Sequence, residues 1–102
     1  MSATYFGTRS SVGDMSNDPL PKPSSSVVHF EAFCNNAGAA ATVTFYGSIS
    51  GATNAWTSLG TISLTGTTVG TLVVSTVNYS YYKATVTAIS GAGAVATAFM
   101  GN

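Results

Sequence analysis

One hundred and two residues allow one domain around one core, since compact domains mostly run ~100–150 residues. Only 6% of the residues are charged and the formal net charge is zero, against roughly 25% charged in ordinary globular domains, so little electrostatic repulsion opposes self-association. These values exclude a separate catalytic module, and they exclude a nucleic-acid surface that works by neutralising phosphates, which needs several Lys or Arg where this chain has three.

Residues 1–26 stand apart from the rest. They hold Arg9 and Lys22 among the basic residues, Asp14 and Asp18 among the acidic ones, and all three prolines. Pro19, Pro21 and Pro23 remove backbone donors and push the residues before them into extended conformations, so SNDPLPKPSSS reads as a polyproline-like arm. Tyr5, Phe6, Met15 and Leu20 give the arm apolar anchors that a purely solvating tail does not need. Tyr5, Phe6, Arg9, Leu20 and Lys22 are therefore its candidate partner-binding residues. The opening MSATYFGTRSSVGDM lacks the basic start, apolar middle and cleavage site of a secretory signal, and the chain is expected to be made and used without export.

From Val27 the period changes to two, and residues 27–102 read as the β domain. In VVHFEAFC, Val28, Phe30, Ala32 and Cys34 share one face and Val27, His29, Glu31 and Phe33 the other. NNAG supplies a turn, with Asn and Gly able to take positive φ. In AATVTFYGSI, Val43, Phe45 and Ile49 alternate with Thr42, Thr44, Tyr46 and Ser48. A Gly-Ala-Thr-Asn loop and Trp56 lead to a strand offering Leu59, Ile62 and Leu64 to a core, with Gly60 marking a bulge. TLVVSTV is too short and too β-branched for a helix. NYSYYKATVTAIS sets Tyr82, Ala84, Val86 and Ala88 against Tyr81, Lys83, Thr85, Thr87 and Ile89. A GAG turn then leads to AVATAFM, whose lack of charge makes it an aggregation risk at an open edge. Six strands joined by Gly-rich turns, with no helical period, predict an all-β fold: an antiparallel β-sandwich or small jelly-roll-like barrel with an extended N-terminal arm. Large side chains are few, so the core is expected to be thin and to depend on burial against neighbouring subunits.

Little chemistry is visible. Cys34 is the only cysteine, which excludes an intrachain disulfide, and its expected place is the core. His29 and Glu31 lie two apart on one strand face, but two ligands do not close a metal site. The serines have only His29 as a possible base and no G-x-S-x-G elbow. Glu31 is the only acid of the β domain, short of the carboxylate pair that glycoside hydrolysis needs. GAGAVA precedes an apparent strand, so no helix N-terminus is there to bind phosphate. No enzyme activity, metal or cofactor is expected. No stretch approaches the ~20 apolar residues of a membrane helix, and no membrane or nucleic-acid partner is expected. Tyr46, Trp56 and Tyr81 remain as candidate interface residues or glycan-stacking platforms.

The order GSISGATNAWTSLGTISLTG, followed at the C-terminus by YSYYKATVTAISGAGAVATAFM, resembles small β-sandwich proteins encoded among bacteriophage structural genes. The likeness spans roughly residues 40 to 100 and leaves residues 1–26 uncovered; the loop ISGATNAW lacks the acidic residue such chains often carry. The resemblance implies a virion structural protein, a head decoration or cement protein made in the host cytoplasm. Such a protein sits on the outer capsid surface and bridges subunits of the major capsid protein, often as a dimer or trimer. The alternatives it leaves are a glycan-binding module of a head or tail fibre and a neck or tail component.

Overall fold

The computed structural model describes residues 3–15, 20–21, 28–74 and 79–101. Their strands are β1 (Ala3–Arg9), β2 (Gly13–Asp14), β3 (Leu20–Pro21), β4 (Val28–Cys34), β5 (Ala40–Ser48), β6 (Thr57–Thr65), β7 (Gly70–Val74), β8 (Tyr81–Ser90) and β9 (Ala96–Gly101). They form two antiparallel sheets. The front sheet has the order β1-β9-β4-β7, and the back sheet runs β2-β8-β5-β6 with β3 also paired to β8. The chain is an all-β sandwich of two packed sheets.

All six strands expected after residue 27 are present, and β4 keeps the expected faces, with Val28, Phe30, Ala32 and Cys34 buried. Alternation fails at two bulges. Phe45 pairs with Gly60 and Tyr46 with Ser58, so Leu59 is the extra residue of β6 and the bulge lies where Gly60 marked it. Thr42 pairs with Ala88 but Val43 with Val86, which makes Thr87 the extra residue of β8. One extra residue reverses the faces beyond it, so exposed Ala88 gives way to Ile89 against the core. Ile49 departs for a different reason: β5 ends at Ser48, and Ile49 stands 73% exposed at the start of the loop.

The N-terminal segment is the main correction. Where a separable arm was expected, β1 pairs along its length with β9, β2 and β3 pair with β8, and the Met15 amide donates to the Ala84 carbonyl at 2.9 Å. Gly7 follows Tyr5 in the β9 register, so Phe6 is bulged and turns inward to full burial while Tyr5 faces out. AVATAFM is consequently an interior strand between β1 and β4, and the chain covers that edge itself. Pro19, Pro23 and Lys22 lie outside the described residues.

The core is built largely from Val, Ile, Tyr82 and small side chains, with three phenylalanines gathered beside Tyr82 at one end. Phe30 stacks on Phe45 with ring centroids 4.4 Å apart, and Phe6 and Tyr82 lie about them at 5.9–6.2 Å. Cys34, Ala39, Ala41, Ala94 and Ala96 fill the other end. There two turns meet. Asn35 donates through Nδ2 to the Gly93 carbonyl at 2.9 Å and accepts at Oδ1 from the Val95 amide at 2.8 Å. Gly91, at φ +105°, lies so close that a Cβ would sit 2.5 Å from the Gly38 carbonyl oxygen. The NNAG turn itself closes through the Gly38 amide donating to Asn36 Oδ1 at 3.0 Å, without positive φ at Gly38.

Burial pushes the Cys34 thiol above its ordinary 9.0 and the Tyr82 phenol above 10.0. Among the described residues the Tyr82 hydroxyl has no hydrogen-bond partner, so burial decides the direction of its shift. With folded values raised, the native state holds protons that the unfolded chain releases, so stability is complete below the ordinary values and falls as pH rises through them. The denaturation midpoint is thus expected to begin falling above pH 9.0, with Cys34→Ala removing the first part of the fall. A midpoint that stays flat past pH 10.0 would contradict this.

Candidate functional site

Two surfaces carry the side chains with recognition chemistry, one on the outer face of each sheet. On the front sheet, Tyr5 of β1 is directly opposite Phe99 of β9, and their rings lie 5.1 Å apart. Phe33 of β4 is the diagonal neighbour of Phe99, stacked at 6.2 Å. Alternation from the buried Ala96, Ala98 and Met100 forces Phe99 outward, just as alternation from Phe30 and Ala32 forces Phe33 outward. The result is a contiguous aromatic row across three strands, Tyr5 being 41% exposed. His29 and Glu31 share this face, where Glu31 is in register with Phe99 and His29 with Gly101. Val73 on β7, opposite His29, is also exposed.

On the back sheet, Lys83 of β8 is directly opposite Tyr46 of β5. Its ammonium lies 5.4 Å from the Tyr46 ring centre and 4.8 Å from that of Trp56, which the loop after β5 carries back to the sheet. Lys83 Nζ is also 3.5 Å from Asp14 Oδ2, while the Thr85 hydroxyl donates to Asp14 Oδ1 at 2.7 Å. Cation–π contacts contribute about 0.5–1 kcal/mol at exposed sites, and an ion pair with a carboxylate as exposed as Asp14 adds little. The loop is held by the Gly51 amide donating to Ser48 Oγ at 2.9 Å. It lies against Tyr81, which extends the same outer face next to Lys83.

The candidate residues divide accordingly. Tyr46, Trp56 and Tyr81 come together on the back sheet, and Tyr5 joins the front face. Phe6 is a core residue. Arg9 folds over its own turn, donating to the carbonyls of Asp14 at 3.2 Å and Val12 at 3.0 Å. Leu20 pairs in register with Tyr82. Sequence reasoning missed Phe33, although it lay on the face of VVHFEAFC opposite Phe30, and Phe99, which period-two alternation in AVATAFM could have found; it also missed the Lys83–Asp14 pair, for which the sequence carries no signal.

Among the described residues, no group of three or more His, Cys, Asp or Glu is arranged to hold a metal ion. Asp14 and Glu31 lie on outer faces of opposite sheets, so they do not face a common bond. No helix among these residues is long and apolar enough to cross a membrane. No protein-family model matches the chain, and no curated protein matches it.

Proposed function

We propose that this chain is a non-enzymatic virion structural protein: a decoration or cement protein, made in the host cytoplasm, that stabilises a bacteriophage head by bridging major capsid subunits on its outer surface. The observation that carries this reading is the aromatic row of Tyr5, Phe99 and Phe33 on the outer face of the front sheet, with Glu31 in register with Phe99. Aromatic residues surrounded by few charges are what the centre of a protein–protein interface is made of. Contact of that kind depends weakly on salt, which suits a shell protein exposed to varied media.

Particles from cells that encode the chain, purified through a density gradient and labelled with antibody against it, are expected to carry it on their heads. Phe99→Ser is expected to leave a folded chain and to abolish most head labelling. Label confined to tails or necks, or a Phe99→Ser chain that decorates heads at full occupancy, overturns the reading.

One observation favours a second reading, a glycan-binding module of a head or tail fibre. Lys83 and Asp14 supply the charged groups beside Trp56 and Tyr46 that sugar sites combine with aromatic platforms. A glycan array decides it: sugar-dependent binding abolished by Trp56→Ala supports this second function, and no sugar-dependent signal removes it.

A further inference from the structure

The four edges of the sandwich are protected unequally. On one flank β1 carries Arg9 and the bulge at Phe6, β2 carries Asp14, and β3 carries Pro21. Charge, bulges, proline and short length are the devices by which proteins block strand addition. On the other flank lie β6 and β7, packed so closely that a Cβ on Gly60 would meet Leu72 and one on Gly70 would meet Ile62. Neither strand contains a charged residue or a proline, and β6 runs nine residues from Thr57 to Thr65. Among the described residues β6 pairs only with β5.

We propose that two copies of this chain associate through β6, pairing antiparallel about a two-fold axis at Ser63 and joining their back sheets into one. Beyond the bulge at Leu59, the segment Thr61–Thr65 is regular: Thr61, Ser63 and Thr65 face solvent while Ile62 and Leu64 face the core. An axis at Ser63 sets Ser63 opposite Ser63, Ile62 opposite Leu64 and Thr61 opposite Thr65. Each opposed pair shares a face and a chemistry, which is the self-complementarity an isologous contact requires. Cross-strand Thr–Thr and Ser–Ser pairs are favourable, and no like charges meet. A second copy is therefore the occupant that the strand itself matches. The proposal uses a different surface from the capsid-facing aromatic row and does not depend on it.

Sedimentation equilibrium of the purified full chain is expected to give twice the chain mass. A variant carrying Thr61→Lys and Thr65→Lys opposes two like charges at both ends of the pairing, and its mass is expected to fall by half; Thr61→Glu with Thr65→Glu is expected to do the same. Both positions are exposed, and although the Thr61 substitutions give up its hydroxyl contact with Thr44 Oγ1 at 3.2 Å, the β5–β6 backbone pairing remains, so circular dichroism is expected to show the β fold retained. Mixed in equal amounts, the lysine and glutamate variants are expected to recover the dimer as a heterodimer. A wild-type chain that stays monomeric, a dimer that survives both double variants, or a mixture that remains monomeric overturns the proposal. Head labelling reads the capsid role separately, so failure of one is not failure of the other.

Discussion

Deletion of residues 1–23 is expected to unfold the chain rather than trim a tail from it. The deletion removes β1, β2 and β3, and it takes Phe6 and Met15, 0% and 2% exposed, out of the core. Truncating a buried Phe to Ala costs ~3–5 kcal/mol and a buried Met ~2–5 kcal/mol, against a total stability of ~5–15 kcal/mol. The two losses share a core and do not simply add, but the backbone loss is further to them. β9 loses its partner on one side and β8 loses both short strands that cover its outer edge. The newly opened β9 edge is ATAFMG, without a charge to discourage pairing between molecules. The expected product is insoluble or lacks cooperative unfolding. Phe6→Ala in the full chain isolates one part of the effect and should lower the melting temperature by roughly 4–8 °C for each kcal/mol lost. A soluble 24–102 fragment that unfolds cooperatively near the wild-type temperature would return the N-terminal strands to the status of an appendage.

That expectation reverses the reading residues 1–26 gave as sequence, and the reason is physical. Three prolines and most of the chain's charge dominate the composition of the segment, and composition argues for a solvated arm. What decides the matter is long-range: β9 has an apolar inner face and no charge, so it needs a neighbour, and only tertiary structure reveals that the neighbour is the chain's own start. The aromatic pair Tyr5-Phe6 was the local signal, but it breaks alternation because Phe6 sits at a bulge. The six later strands were legible because each buries one face against a core and so carries period two. Their errors fall at Ala88, where one inserted residue flips the phase, and at Ile49, where the strand has ended. The candidate sites follow the same division. Tyr46 and Trp56 were visible as aromatics, whereas the ammonium that lies over both comes from β8 and its carboxylate from β2, brought together only by strand pairing.

Phe30→Ala is expected to be among the most destabilising single substitutions, and its comparison with Phe33→Ala tests the orientation of the whole front sheet. Phe30 is 1% exposed and its ring lies within 6.2 Å of three others, those of Phe6, Phe45 and Tyr82, so it joins the two sheets at the aromatic end of the core. Its truncation removes buried area and leaves a cavity, at ~3–5 kcal/mol, and it dissolves aromatic contacts that contribute ~0.5–1.5 kcal/mol beyond area. Phe30→Leu keeps most of the volume and should recover most of the loss. Phe33 is three residues along the same strand on the opposite face, half-buried against Phe99. Phe33→Ala should therefore cost no more than about 1–2 kcal/mol by the area it leaves, while weakening the proposed capsid contact. Denaturant titration of both variants measures the difference directly. A Phe33→Ala chain less stable than the Phe30→Ala chain would mean that β4 presents its other face to the core. The aromatic row would then be interior, and the surface on which the capsid reading rests would not exist.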